Sequence, residues 1–183
     1  TMVTLLYRTV RPLLSISESV SLQKRAYHVL DSLLKHHGSV LAVTESRMQI
    51  LNLIVESLLT CQVSARSMRL RCMETLMVTM SDEEVDEASA AILGEVLICQ
   101  KDANKKTRDS ATELILMMIR RIAPYGMLTQ LCSGMAGETS VMRSAAVTGL
   151  CLLMLEHRGD NEIMKAAGEL LPTVCLLLRD ECP

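Results

Sequence analysis

Residues 104–124 read NKKTRDSATELILMMIRRIAP, and the spacing within that stretch decides the fold. Asn104 suits a helix N-cap, because its side-chain oxygen can accept from an amide that the first turn leaves unpaired. The apolar residues around Ala111 and Ile115 then keep helical spacing to about Ala123, where Pro124 stops the run. Strand-like alternation is absent here, and it is absent elsewhere in the chain.

Working outward, the same pattern recurs. Residues 2–14 read as a helix with Val3, Leu6, Val10 and Leu13 or Leu14 on one side, kinked or closed by Pro12. Ser17 or Ser19 caps a second helix to about 37, with Leu22, Ala26, Val29, Leu30 and Leu33 as its apolar stripe and Gly38 as its stop. Thr44 and Glu45 open a third, carrying Met48, Leu51, Ile54, Val55, Leu58 and Leu59. A fourth covers about 65–80. Ser81 with Glu84 is a capping-box signature for a fifth, ending near 101. Beyond Pro124 come a weaker, glycine-broken helix over 127–135 and a strong one opened by Thr139 or Ser140. That helix runs to about 157, where Gly159–Asp160 break it. A last helix over 162–179 contains Pro172 as a kink.

The helices carry an internal echo. Ala26, Cys72, Ala111 and Ala146 are small residues at matching positions, with Leu30, Leu76, Ile115 and Leu150 four places later. Gln23, Arg69, Arg108 and Arg143 stand three places earlier. The spacings of 46, 39 and 35 residues, with two helices per unit, belong to HEAT and armadillo arrays. The expected fold is therefore an all-α, HEAT/armadillo-like solenoid of stacked antiparallel helix pairs, with approximate units 1–18 (partial), 19–61, 62–101, 102–137 and 138–183. The small residue, expected on the first helix of each pair, lets neighbours approach. The arginine near the start of that helix can reach carbonyls or carboxylates of an adjacent unit. The pattern starts in mid-helix at Thr1 and ends at Pro183 without a stop signal, which reads as a segment of a longer chain.

Composition agrees with helices. Among 183 residues there is no Phe, no Trp and only three Tyr, so the core falls to Leu, Ile, Val, Met, Ala and Cys. The net charge of −2 is unevenly spread: residues 1–80 hold nine basic and five acidic groups, whereas 81–100 hold six acidic and none basic. Residues 101–123 are basic again. No apolar run reaches the length needed to span a bilayer, and no secretory signal is visible. The seven cysteines show no zinc spacing. Most, including Cys151 and Cys175, sit in apolar runs and read as small buried hydrophobes in a reducing compartment.

No chemistry-bearing constellation emerges. Gly134–Met135–Ala136–Gly137 lacks the Lys and Ser/Thr of a phosphate loop. His36 and His37 are adjacent, point about 100° apart on a helix and make a poor ligand pair. The run Asp82–Glu83–Glu84–Val85–Asp86–Glu87 lacks the alternation and glycine of a calcium loop and suits the first turn of a helix. The methionines fill gaps in apolar stripes. No cofactor, metal or small-molecule substrate is expected, and the chain does not read as an enzyme. Lys24, Arg25, Arg66, Arg69, Arg71, Lys105, Lys106 and Arg108, with Lys101, are the candidates for contact with RNA phosphates or a partner. Stacking could align them on one ridge, and ion pairing within the stack or plain solvation competes with that role.

The stretches QKRAYHVLDSLL (23–34), GEVLICQKDANKKTRDSATELILMM (94–118) and ELLPTVCLLLRDE (169–181), with Arg11–Pro12–Leu13, occur in an order that resembles the eukaryotic ribosomal RNA-processing protein twelve family. The second is the most telling: a helix ending in Glu95–Val96–Leu97, then Lys101–Asp102, then a basic turn opening an Ala-containing apolar helix. Ile119–Arg120–Arg121 departs from the family pattern. The resemblance implies a large HEAT-repeat factor of small-subunit assembly, nuclear and nucleolar with possible shuttling to the cytoplasm. It implies binding to pre-ribosomal proteins, assembly factors and pre-rRNA, with no catalytic residues to carry over. Within it, Lys24, Arg25, Lys105, Lys106 and Arg108 are the binding positions. A nuclear transport adaptor that binds protein cargo is the alternative, and the absence of Trp ladders counts against it.

Overall fold

The computed structural model describes residues 2–15, 19–36, 44–57, 61–137 and 139–180. Every regular element among them is helical. The chain divides into two compact units, Thr1–Ser81 and Asp82–Pro183.

The first unit holds α1 (Met2–Ser15), α2 (Val20–His36), α3 (Thr44–Glu56) and α4 (Arg66–Met77), the last entered through a 3-10 turn at Val63–Ala65. α1 packs on α2 and α3 on α4, while α2 lies against α4 and α1 against α3. That is one helix pair laid on another. Pro12 does not close α1, which continues to Ser15.

The apolar stripe expected on α2 is rotated. Leu22 and Val29 are 37% and 50% exposed, and the buried face is Gln23, Ala26, Tyr27, Leu30, Asp31 and Leu34. Polar side chains can turn inward only where partners await them. Gln23 accepts from the Gln62 amide at 2.9 Å and donates to the Leu14 carbonyl at 3.4 Å. Gly38, Leu58 and Leu59 lie outside the described residues.

The second unit holds α5 (Asp82–Cys99), α6 (Lys105–Arg121), α7 (Pro124–Met135), α8 (Ser140–Glu156), α9 (Asn161–Glu169) and α10 (Leu171–Asp180). α5 packs along α6 and α7 along α8, and α8 also meets α5, α6, α9 and α10. Caps set the boundaries. Asn104 accepts from the Lys106 amide at 2.9 Å and Thr139 from Met142 at 3.2 Å. Asp160, expected as a break, caps α9 through the amides of Glu162 and Ile163. Pro124 stops the run before it, with Ile122 and Ala123 leaving the helical region, and then occupies the first turn of α7, where its missing N–H is no loss. The single helix expected over 162–179 is two, parted at Leu170, because Pro172 has no amide to continue the ladder.

The four small positions do what the echo implied. Ala26, Cys72, Ala111 and Ala146 are all buried, as are Leu30, Leu76, Ile115 and Leu150. A Cβ placed on Gly134 of α7 would stand 3.1 Å from the Ala146 Cβ of α8, so two helices meet there almost backbone to backbone. One detail is reversed. The small residues sit on α2, α4, α6 and α8, each packed against the helix that precedes it, so they mark the second member of a pair.

Candidate functional site

The eight cationic candidates divide by environment. Lys24 and Arg25 are exposed on α2, as are Lys105 and Lys106 on the first turn of α6. Arg66 is half-buried at the start of α4. Arg71 is exposed and lies 3.4 Å from Asp31. Arg69 is 0% exposed and cannot meet a phosphate. Its Nε donates to the Ile54 carbonyl at 2.8 Å and to Ser57 Oγ at 3.3 Å, and its Nη2 to the Val55 carbonyl at 3.4 Å. Those carbonyls belong to the last turn of α3, where the helix leaves acceptors unpaired and carries its partial negative charge.

Arg108 repeats this pattern in the second unit. Its Nη1 donates to the carbonyls of Asp102 and Ala103, both at 2.8 Å, in the turn that follows α5. Arg143 Nη1 donates to the Gly137 carbonyl at 3.2 Å, just after α7. Gln23 donates to Leu14 near the end of α1. Gln23 and Arg69 therefore donate to carbonyls in the last turn of the preceding helix, and Arg108 and Arg143 to carbonyls of the turn that follows it. Arg69, wholly buried, is thereby assigned to architecture, while Arg108 is half-buried and holds its two carbonyls through Nη1. The competing expectation, that these arginines reach backbone carbonyls, is the one the geometry bears out. The carbonyls belong to the preceding helix or turn of the same unit.

Behind α2 and α4 lies a polar layer. Asp31 accepts from Lys35 at 2.7 Å and from Thr75 at 2.8 Å. Burial would push its carboxyl up, but the Lys35 and Thr75 hydrogen bonds, with the Lys35 and Arg71 charges, outweigh it and hold the group below its ordinary range. Ser57 Oγ donates to the Ile54 carbonyl at 2.7 Å, so the Tyr27 hydroxyl, 2.8 Å away, is the donor in its contact with Ser57. Cys72 Sγ donates to the Tyr27 carbonyl at 3.2 Å, and burial beside the Asp31 charge pushes the thiol up to about 12. Burial raises Tyr27 as well. Near neutral pH neither group offers an anionic nucleophile. The layer builds structure. Sequence reasoning missed it, although Gln23, Tyr27 and Asp31 at helical spacing were the signal.

Elsewhere the surface is tied by ion pairs. Arg121 meets Asp82, and Arg120 meets Glu156, each at 2.7 Å. The acidic run thus occupies the first turn of α5, as its spacing implied. His28 and His36 are exposed, and His157 lies 3.5 Å from the Ile119 carbonyl. Among the described residues no three His, Cys, Asp or Glu side chains are grouped to hold a metal ion. Cys151 and Cys175 are exposed, against the expectation that they are buried: the runs around them are apolar, but each falls on the outward side of its helix. Cys182 lies outside the described residues. No described helix is long and apolar enough to cross a membrane.

Comparison with known proteins agrees with the resemblance read from the sequence. The chain is 24% identical to the ribosomal RNA-processing protein 12 of Saccharomyces cerevisiae over 168 residues, 79% of this chain. It is 27% identical to the human RRP12-like protein over 184 aligned positions, 94% of this chain. The chain spans about 14% of the length of either curated relative. No family model matches it.

Proposed function

We propose that this chain is part of a non-catalytic helical scaffold for ribosome biogenesis, binding pre-rRNA and assembly factors within precursors of the small subunit. The similarity to two proteins named for ribosomal RNA processing, extending over most of this chain, carries the reading. The helix pairs are compatible with it, because they offer wide surfaces for partners. Such a protein acts in the nucleus and nucleolus, rRNA processing and export of the precursor being the steps it serves. It works by holding several partners at fixed separation.

Phosphate contact falls to the exposed cations. Among the candidates these are, in the second unit, Lys101 and the first-turn residues Lys105 and Lys106 of α6, and in the first unit Lys24 and Arg25. Arg71, turned toward Asp31, contributes less. Contact of this kind is electrostatic, so its affinity falls as salt rises. With no Phe or Trp to stack on bases, it reads the backbone and not the sequence.

Affinity purification of the full-length protein tests the scaffold reading. Pre-ribosomal proteins and precursor rRNA should co-purify, whereas import receptors or cargo alone would overturn it. For the phosphate contact, Lys105→Glu with Lys106→Glu should weaken RNA binding and flatten its salt dependence. RNA binding unaltered by that double charge reversal would remove these lysines from the interface.

A further inference from the structure

We propose that the exposed face of α5, α7 and α9, centred on Tyr125, docks an arginine-rich segment of a partner protein. The idea goes beyond the ribosome-assembly reading and does not rest on it. α7 lies between α5 and α9 and touches both. The three helices carry six acidic residues on α5 and two on α9, against the single base Lys165. On α6, by contrast, five basic residues outnumber two acidic ones. The helix dipole explains the carboxylates of a first turn, Asp82 to Glu84 and Glu162. It does not explain Asp86 or Glu169, which lie beyond that turn and are exposed. Asp82 is already matched by Arg121. Among the described residues no cation pairs with Asp86, Glu162 or Glu169.

Tyr125 selects the kind of cation. Tyr27 is buried, but Tyr125, in the first turn of α7, is 52% exposed. Its hydroxyl donates to Glu162 Oε2 of α9 at 3.4 Å. On the α5 side, Asp86 Oδ1 lies 3.9 Å from where a Cβ on the adjacent Gly126 would stand. Partial desolvation, and then the charges of Glu162, Asp160 and Glu169, hold the phenol above its ordinary range, so a neutral ring stands in a negative field. A guanidinium suits that setting: its plane stacks on the ring while its donors fork to carboxylates beside it. An ammonium meets the carboxylates without the stacking. Nucleic acid is repelled. A metal ion finds no group of three His, Cys, Asp or Glu side chains among the described residues. Lys101, Lys105 and Lys106 lie beyond the far end of α5, about 20 Å from Asp86 along that helix, so one unit can hold a phosphate and a basic segment together.

Fluorescein-labelled octa-arginine, titrated with the intact protein and read by fluorescence anisotropy, tests this. Binding should saturate and should weaken as salt rises. Asp86→Lys with Glu162→Lys should weaken it by more than about tenfold. Tyr125→Ala should weaken it about fivefold, whereas Tyr125→Phe, which keeps the ring, should not. Octa-lysine should bind less tightly than octa-arginine, and Tyr125→Ala should narrow that difference. Asp109→Lys with Glu113→Lys, an equal change of net charge at exposed positions of α6, should leave the affinity within about twofold. All of these positions are exposed, and circular dichroism checks that each variant keeps its helices. No saturable binding, an equal loss from the α6 pair, or full affinity in Tyr125→Ala would overturn the proposal. So would a dimer in sedimentation that Asp86→Lys with Glu162→Lys disperses, since a second copy would then own the face.

Discussion

Arg69 in the first unit and Arg108 in the second occupy matching positions, yet one is wholly buried and the other half-exposed. Both reach backward to backbone carbonyls, Arg69 to the last turn of α3 and Arg108 to the turn that follows α5. What differs is what surrounds that task. In the first unit the capping guanidinium joins Tyr27 and Ser57 in a buried polar layer. In the second the matching guanidinium stands partly in solvent, and the helices beside it close through small residues, as at Gly134 and Ala146. The backbone requirement is constant from repeat to repeat, while the means of filling the space around it are free to vary.

The largest effect separates these two solutions. Arg69→Ala should destabilise the protein by about 4 kcal/mol, since it opens a cavity and removes the guanidinium's hydrogen bonds to the Ile54 and Val55 carbonyls and to Ser57. Arg69→Met keeps most of the volume and should recover part of that loss. Urea denaturation measures both. A loss under about 1 kcal/mol for Arg69→Ala would mean that the buried cap contributes little, a value expected only for Arg108.

Next comes the small-residue solution. Ala146→Leu should cost about 3 kcal/mol, because Gly134 leaves no room and α7 cannot retreat without giving up its contacts with α8. Gly168 is the control. It lies within α9 with nothing near its missing Cβ, so Gly168→Ala should stabilise by up to about 1 kcal/mol. If both substitutions shift the melting temperature in the same direction, close approach is not what the small positions are for.

Much of this was legible in the sequence. Asn104 and Thr139 named their own helix starts, and the matched small residues announced the helix-on-helix packing. The reading failed where tertiary partners decide. Leu22 and Val29 follow the helical period as well as their buried neighbours do. Only the distant partners Leu14, Ser57, Gln62 and Thr75 tell that Gln23, Tyr27 and Asp31 turn inward instead. Arg69 shows the same limit, since a guanidinium buried against helix carbonyls and one awaiting a phosphate are identical letters. Pro172 misled for a local reason: proline favours the first turn of the helix it begins, so it opens α10 instead of kinking one long helix.

Asp31 tests whether the polar layer is a net asset. Asp31→Asn removes the charge facing Lys35 and Arg71 and should cost about 2 kcal/mol at neutral pH. The folded-state carboxyl titrates below its ordinary value, so its stabilisation is complete above the unfolded value of about 3.9 and is lost as pH falls through the folded value. The difference between wild type and variant should therefore be flat near neutrality and shrink below about pH 4. A difference that instead grows on acidification would reverse the sign assigned to this group.

The smallest effect is the one that distinguishes a cap from a ligand contact. Arg108→Ala leaves two carbonyls that water can reach, because the side chain is only half-buried, so the loss should be about 1 kcal/mol. Arg108→Lys should recover part of it, since both bonds come from the single nitrogen Nη1 and an ammonium carries enough protons for two adjacent carbonyls. If the residue is purely architectural, RNA affinity should hardly change in Arg108→Ala at a temperature where the fold is intact, although Lys105 and Lys106 lie one turn away. An affinity loss as large as that caused by reversing those two lysines would return Arg108 to the interface. The helix-capping rule would then hold for Gln23, Arg69 and Arg143 without accounting for all that this fourth residue does.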